Sequence, residues 1–121
     1  MNAIGVAEFI VQQRRGTAFK DYSPLQLVDL VVESSQNDGM ATLLDGDKLI
    51  GVIFGEYDKD TNNLHISNVL AHSDAPCRVV IQVLMKKFYQ MFNNETTITG
   101  TRDGKLKLYS AKLVARLGKV T

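Results

Sequence analysis

The residues with the clearest capacity for chemistry surround the predicted start of a helix near Pro76. The backbone N–H groups of Ala75 to Val79 lie at a helix N-terminus, where unpaired N–H groups and the helix dipole can bind an anion. The same location would stabilise the thiolate of Cys77, the single cysteine of the chain. Cys77 also falls on the apolar face of this helix, and that position favours a buried, unreactive thiol.

The histidines and the cysteine indicate no metal site. His65 and His72 are not accompanied by a cluster of ligand residues, and one cysteine cannot build a thiolate cage. We therefore expect no metal. One cysteine also cannot form an internal disulfide, which is typical of a protein in a reducing compartment.

Length and composition favour one ordinary globular domain. The chain has 121 residues, 45% of them hydrophobic and 22% charged, and a formal net charge of +1. This charge balance predicts neither nucleic-acid binding nor attraction to a membrane surface. No apolar run approaches the ~20 residues of a transmembrane helix. Because Met1 to Ile4 do not begin a signal peptide, we expect a cytoplasmic protein.

Apolar periodicity predicts two helices within residues 1–36. In the first helix, alanine, valine and isoleucine recur at helical spacing from Ala3 to Val11. The second helix begins after Ser23, a preferred N-cap residue. Pro24 suits its first turn, and Gln26 occupies the second position of a capping box.

Residues 39–71 change to the shorter period of β-strands and predict a three-stranded antiparallel meander. The first two strands flank Asp45-Gly46, a strong signal for a tight hairpin turn. A second polar turn, over residues 58–63, precedes the third strand at Leu64 to Ala71.

Residues 74–101 predict a helix followed by a strand, and residues 103–117 predict a C-terminal helix. The third strand, the long helix and the fourth strand form a crossover, which requires a parallel strand pair beside the antiparallel meander. The predicted fold is therefore a single α/β (α+β) domain over residues 1–121. It has a mixed sheet with one parallel βαβ crossover, flanked by helices.

The order of elements and several motifs resemble the GNAT superfamily of N-acetyltransferases. The segment Leu49-Ile50-Gly51-Val52-Ile53 resembles the hairpin between the family's second and third strands. Val69 to His72, followed by Pro76 and Arg78, resembles the passage from the fourth strand into the cofactor-binding helix. Leu108-Tyr109 resembles a motif of the family's last helix.

The resemblance implies an acyl-CoA cofactor, acetyl-CoA in the simplest case, held between two splayed strands. The residues in contact with it would be Val69, Leu70, Ala71, Arg78, Val79 and Val80. The family's phosphate loop has the pattern Gln/Arg-x-x-Gly-x-Gly/Ala, but Ile81 and Val83 stand at the two glycine positions. Side chains there would crowd the phosphates, and this favours the interpretation of Arg78 as a surface residue of the helix.

The catalytic residues that the resemblance implies are Tyr109 and Glu56. Tyr109 matches the tyrosine that acts as general acid toward the thiolate leaving group, and Glu56 is the best carboxylate for a general base. The alternatives stay open, since Tyr109 also fits a core aromatic and Glu56 also fits a solvated strand position.

Two functions are compatible with these residues. The first is an acyl-CoA-dependent N-acyltransferase with a degenerate cofactor motif. The second is a non-catalytic GNAT-fold structural or protein-interaction module, similar to small GNAT-like proteins of tailed bacteriophages, which would be virion-associated. With either function, the open edge of the sheet is a surface for a protein partner or a second copy of the chain.

Overall fold

The computed structural model describes residues 2–13, 19–92, 96–102 and 105–109, which form three helices and five strands. In chain order the elements are α1 (Ala3–Gln13), α2 (Pro24–Gln36), β1 (Met40–Asp45), β2 (Lys48–Asp58), β3 (Asn63–Ala71), α3 (Cys77–Tyr89), β4 (Thr97–Arg102) and β5 (Lys105–Tyr109). The strands form one sheet in the order β1-β2-β3-β4-β5. β3 and β4 are parallel and the other neighbouring pairs are antiparallel. The prediction of a mixed sheet with one parallel pair is thus confirmed.

Local sequence explains how several elements begin and turn. The Ser23 hydroxyl accepts the N–H of Gln26 at 3.2 Å, and Gln26 Oε1 accepts the N–H of Ser23 at 2.8 Å. This reciprocal capping box is the one that the sequence predicts for α2. Gly46 has a φ of +62° in the β1–β2 turn, a conformation that glycine adopts without a steric cost. Asn62, with a φ of 51°, makes the β2–β3 turn.

Helices cover both faces of the sheet. α1 and α2 pack on one face, and α3 packs on the other. Successive residues of β2 point to opposite faces, so Val52 and Phe54 contact the α1/α2 layer while Ile53 contacts α3. None of the described helices is both long enough and apolar enough to cross a membrane.

A β-bulge in β3 changes which face its side chains reach. The β2–β3 register shifts between Phe54 and Gly55, and Ser67 is the extra residue on β3. Leu64 and Leu70 are six residues apart and would share a face in a regular strand. Because of the bulge, Leu64 instead lies in the α3 core and Leu70 in the α1/α2 core.

The helix predicted over residues 103–117 is wrong where the structure describes it. Lys105–Tyr109 is β5, which pairs antiparallel with β4. The letters of this segment, Lys-Leu-Lys-Leu-Tyr, alternate with a period of two and fit a strand as well as a helix face. Pairing with β4 decided between them. Residues 103, 104 and 110–117 lie outside the described residues.

Two glycines of β2 allow α3 to lie close to the sheet. A Cβ atom at Gly51 would be 2.6 Å from Val80 Cγ1, and one at Gly55 would be 2.7 Å from Phe88 Cε2. At Gly55 the carbonyl oxygen of His65 is also only 2.7 Å away. The close approach of α3 therefore excludes a side chain at both positions.

We expect Gly55→Ala to lower the free energy of unfolding by about 1–3 kcal/mol, because the added methyl group overpacks the interface between β2 and α3. Urea denaturation followed by circular dichroism measures this change. Gly5→Ala is the matched control, since a Cβ there meets only the flexible Asn2 side chain at 3.2 Å. Alanine is also preferred inside a helix, so the control should be as stable as the original or more so. Equal stability of both variants would contradict the close packing of α3.

Candidate functional site

The parallel strands β3 and β4 separate part-way along their length. Their ladder holds four residue pairs and ends at Ile66↔Gly100, whereas β3 continues to Ala71. The separation begins at the bulged residue Ser67, and a bulge bends and twists its strand. The segment Val69–Ala71, which the sequence predicts as part of a cofactor site, lies beyond the last pair.

The side chains of this segment belong to the two cores. Leu70 is buried in the α1/α2 core, and Val69 and Ala71 pack against the α3 core. A ligand lying in the gap would therefore meet backbone N–H and C=O groups of β3 rather than side chains. Such groups can pair with the amides of an extended ligand arm.

The loop that follows β3 uses its backbone N–H groups within the chain. The N–H of Ser73 donates to Gln13 Oε1 at 3.1 Å. The N–H of Asp74 donates to His72 Nδ1 at 3.0 Å, and the N–H of Ala75 donates to the His72 carbonyl oxygen at 3.0 Å. The next residue, Pro76, has no N–H. A phosphate loop depends on several unpaired N–H groups that point at one anion. Residues 73–76 have no such group to offer.

The start of α3 leaves a smaller set of N–H groups. Pro76 is the N-cap residue and makes no side-chain cap, so the N–H groups of Cys77, Arg78 and Val79 have no partner inside the helix. Arg78 is exposed and Val79 is 40% exposed. Val80 is buried, and its N–H donates to the Pro76 carbonyl oxygen at 3.0 Å. Of the helix residues predicted to bind cofactor, Arg78 and Val79 are accessible and Val80 is a core residue.

Cys77 and Asp74 lie at the start of α3 and in the loop before it. Cys77 is exposed, so the prediction of a buried thiol is wrong. The reason is that α3 begins at Cys77, and its buried face starts three residues later, at Val80. The exposed Asp74 carboxylate lies 3.9 Å from His72 Nδ1, on the loop that would face a phosphate. A carboxylate at that position repels an anion.

A row of polar side chains crosses β2, β3 and β4 just before the bulge. Glu56 pairs with His65, and His65 pairs with Thr99. His65 Nδ1 lies 2.9 Å from Thr99 Oγ1, which also accepts a hydrogen bond from Asn63 Nδ2 at 3.1 Å. The row borders an open cavity of ≈ 440 Å³ lined by Glu56, Tyr57, Asp58, Asn63, His65 and Thr99.

The hydrogen bonds of this row define a chemical role for His65. Thr99 Oγ1 accepts from Asn63, and the direction of its contact with His65 Nδ1 depends on the tautomer of the ring. In the tautomer that carries its proton on Nδ1, the lone pair of Nε2 is free to accept a proton. The carboxylates of Glu56 and Asp58 border the same cavity and give it a negative character. This arrangement can attract an amine and can act as a base toward it.

The structure does not bring the two predicted catalytic residues together. Tyr109 lies on β5 opposite Ile98, whereas Glu56 lies on β2. These strands are three spacings apart in the sheet, about 14 Å. Tyr109 is also on a strand and not on the helix whose motif it matches. Its role as a general acid remains a prediction.

In the sequence, His65 is identifiable only as a histidine without neighbouring metal ligands, and nothing indicates a role for Thr99. The signal that joins them is the parallel register of β3 and β4, which no local pattern contains. Among the described residues, no three histidine, cysteine, aspartate or glutamate side chains are grouped so as to hold a metal ion. Comparison with protein-family models, curated proteins and solved structures found no match to this chain.

We expect Thr99→Val to lower the free energy of unfolding by about 1–2 kcal/mol, because two half-buried hydrogen bonds are lost. Thr97→Val is the matched control on the same strand. Thr97 is exposed, so water replaces its hydrogen bonds and the cost should be smaller. Urea denaturation of both variants decides the point, and an equal loss would show that the polar row adds no stability of its own.

Proposed function

We propose that the chain is a GNAT-like domain that acts as a non-catalytic protein-interaction module. The observation that carries this proposal is the hydrogen bonding of the β3–α3 loop, whose backbone N–H groups are all taken by the chain itself. In an acyltransferase of this family the corresponding groups bind the cofactor's pyrophosphate. Because these N–H groups bond within the chain, they support the proposal of a domain with GNAT-like architecture that does not bind the cofactor.

Energetics point in the same direction. Binding a pyrophosphate here would first break the bonds of Ser73, Asp74 and Ala75, each contributing about 0.5–1.5 kcal/mol. The Asp74 carboxylate would add repulsion, and Pro76 cannot donate. The three N–H groups at the start of α3 are too few to offset these costs. The resemblance to small GNAT-like phage proteins supports a virion-associated role, with the cytoplasm as the site of synthesis.

The second candidate is an acyl-CoA-dependent N-acyltransferase, and one observation favours it. The gap between β3 and β4 offers the β3 backbone to an acyl-pantetheine arm, next to a cavity bordered by Glu56 and His65. In this alternative the amine acceptor enters the acidic cavity, and Glu56 or His65 removes its proton. The amine nitrogen then attacks the thioester carbonyl, and the free thiol leaves.

Titration with acetyl-CoA separates the two candidates. We expect no saturable heat and no change in melting temperature at millimolar acetyl-CoA, because the loop N–H groups are occupied. The same titration with S-acetylpantetheine, which has no pyrophosphate, tests the gap alone. Chemical-shift changes confined to Val69–Ala71 would identify binding there.

Matched variants give the titration a control. If acetyl-CoA binds, Arg78→Gln should weaken it through the lost charge beside the phosphates, whereas Lys59→Gln, the same charge change in a distant turn, should not. Saturable binding with this pattern would contradict the non-catalytic proposal and restore the enzyme.

The enzyme alternative makes its own prediction about Glu56. In an acetylation assay with a panel of amines, Glu56→Gln should reduce the rate about 10²–10⁴-fold, as expected for the loss of a general base. Asp60→Asn, which changes an exposed carboxylate in the β2–β3 turn, should leave it unchanged. Product formation is measured by release of free thiol. A domain without catalysis gives no thiol release above the uncatalysed rate for any of the three proteins.

A further inference from the structure

β1 is an edge strand within the described sheet. β2 lies on one side of it, and no described strand lies on the other. The N–H of Gly55 donates to the carbonyl oxygen of Gly39 at 2.9 Å, and this bond sets the phase of the antiparallel ladder. By alternation, Ala41 and Leu43 exchange hydrogen bonds with β2, while the backbone groups of Thr42 point away from it. The register shifts between Leu43 and Leu44, but the extra residue, Ile50, is on β2, so β1 keeps its alternation and Leu44 also points away.

A groove runs beside these outward backbone groups. Its cavity is ≈ 300 Å³ and lies between the helix layers, with a lining of Val6, Ser35, Met40, Ala41, Thr42, Lys87 and Met91. Lys87 Nζ donates to the outward carbonyl oxygen of Thr42. Met91 is 44% exposed, and Leu44 is 45% exposed at the end of the strand. The edge thus carries exposed apolar side chains with one ammonium group beside them.

We propose that this edge pairs with the β1 strand of a second copy, antiparallel about a two-fold axis, so that two sheets become one. The axis passes between the two Leu43 residues. Thr42 then exchanges both backbone hydrogen bonds with Leu44 of the other copy, which gives four such bonds over the whole interface. This inference is independent of whether the chain binds acyl-CoA.

Charge and shape favour a second copy over an unrelated strand. In this register Asp45 of one copy lies opposite Ala41 of the other, on the sheet face that carries α3. This position brings the Asp45 carboxylate of the first copy within reach of Lys87 Nζ in the other copy, where Lys87 contacts the carbonyl oxygen of Thr42. Asp45 is exposed and has no ion pair with any other described residue. The edge therefore carries both halves of its own ion pair, and pairing covers Leu44.

Sedimentation equilibrium over a wide concentration range tests the proposal on the full chain. We expect a reversible dimer, and Thr42→Pro should make it monomeric. This proline removes an N–H that points away from β2, so the ladder with β2 keeps its bonds. Circular dichroism checks that the variant is folded. Wild-type chain that is monomeric throughout would overturn the proposal and leave the groove to a different partner.

A charge exchange tests the register. Asp45→Lys and Lys87→Asp should each raise the dissociation constant about tenfold or more, because attraction becomes repulsion in two symmetric pairs. The double variant should recover the wild-type value. Asp60→Lys, the same charge change in a distant turn, is the control and should have no effect. A dimer indifferent to these reversals and to Thr42→Pro forms through another surface, and failure of the double variant to recover overturns the register.

Discussion

The bulge at Ser67 is the constraint on which much of this architecture depends. One extra residue in β3 reverses the alternation of its side chains, so that Leu64 faces α3 and Leu70 faces the α1/α2 layer. The same residue marks the end of pairing between β3 and β4. A single local irregularity therefore distributes the side chains of β3 between the two cores. A regular strand would direct Leu70 to the α3 face instead.

The loop after this strand illustrates a competition for backbone hydrogen bonds. The Ser73 N–H joins the loop to α1 through Gln13, and the N–H groups of Asp74 and Ala75 bond to His72 within the loop, so none of the three is available to an external anion. Fold stability and phosphate binding thus draw on the same donors. In this chain the N–H groups of Ser73, Asp74 and Ala75 all bond within the chain, and the non-catalytic proposal rests on that observation.

Polar side chains are concentrated on the part of the sheet that no described helix covers. The row of Glu56, His65 and Thr99 lies on the sheet face of the α1/α2 layer and borders an open cavity. The opposite face of the same strands is filled by α3, with Gly51 and Gly55 allowing a close approach. Because α3 packs on the buried face, the side chains on the exposed face are free to form hydrogen bonds instead of packing.

Local sequence determined the elements whose signals are short-range. The capping box of Ser23 and Gln26, the turn at Gly46 and the strand that follows this turn depend on neighbours within a few residues, and the structure confirms each. The parallel pairing of β3 with β4 also followed from the order of elements. The tertiary structure alone decided the rest. Lys105–Tyr109 became a strand because β4 offered a partner. Cys77 became exposed because α3 begins there. His65 contacts Thr99, 34 residues away in the chain, because β3 and β4 pair in parallel. These outcomes depend on contacts between distant segments, and no local pattern of residue types contains that information.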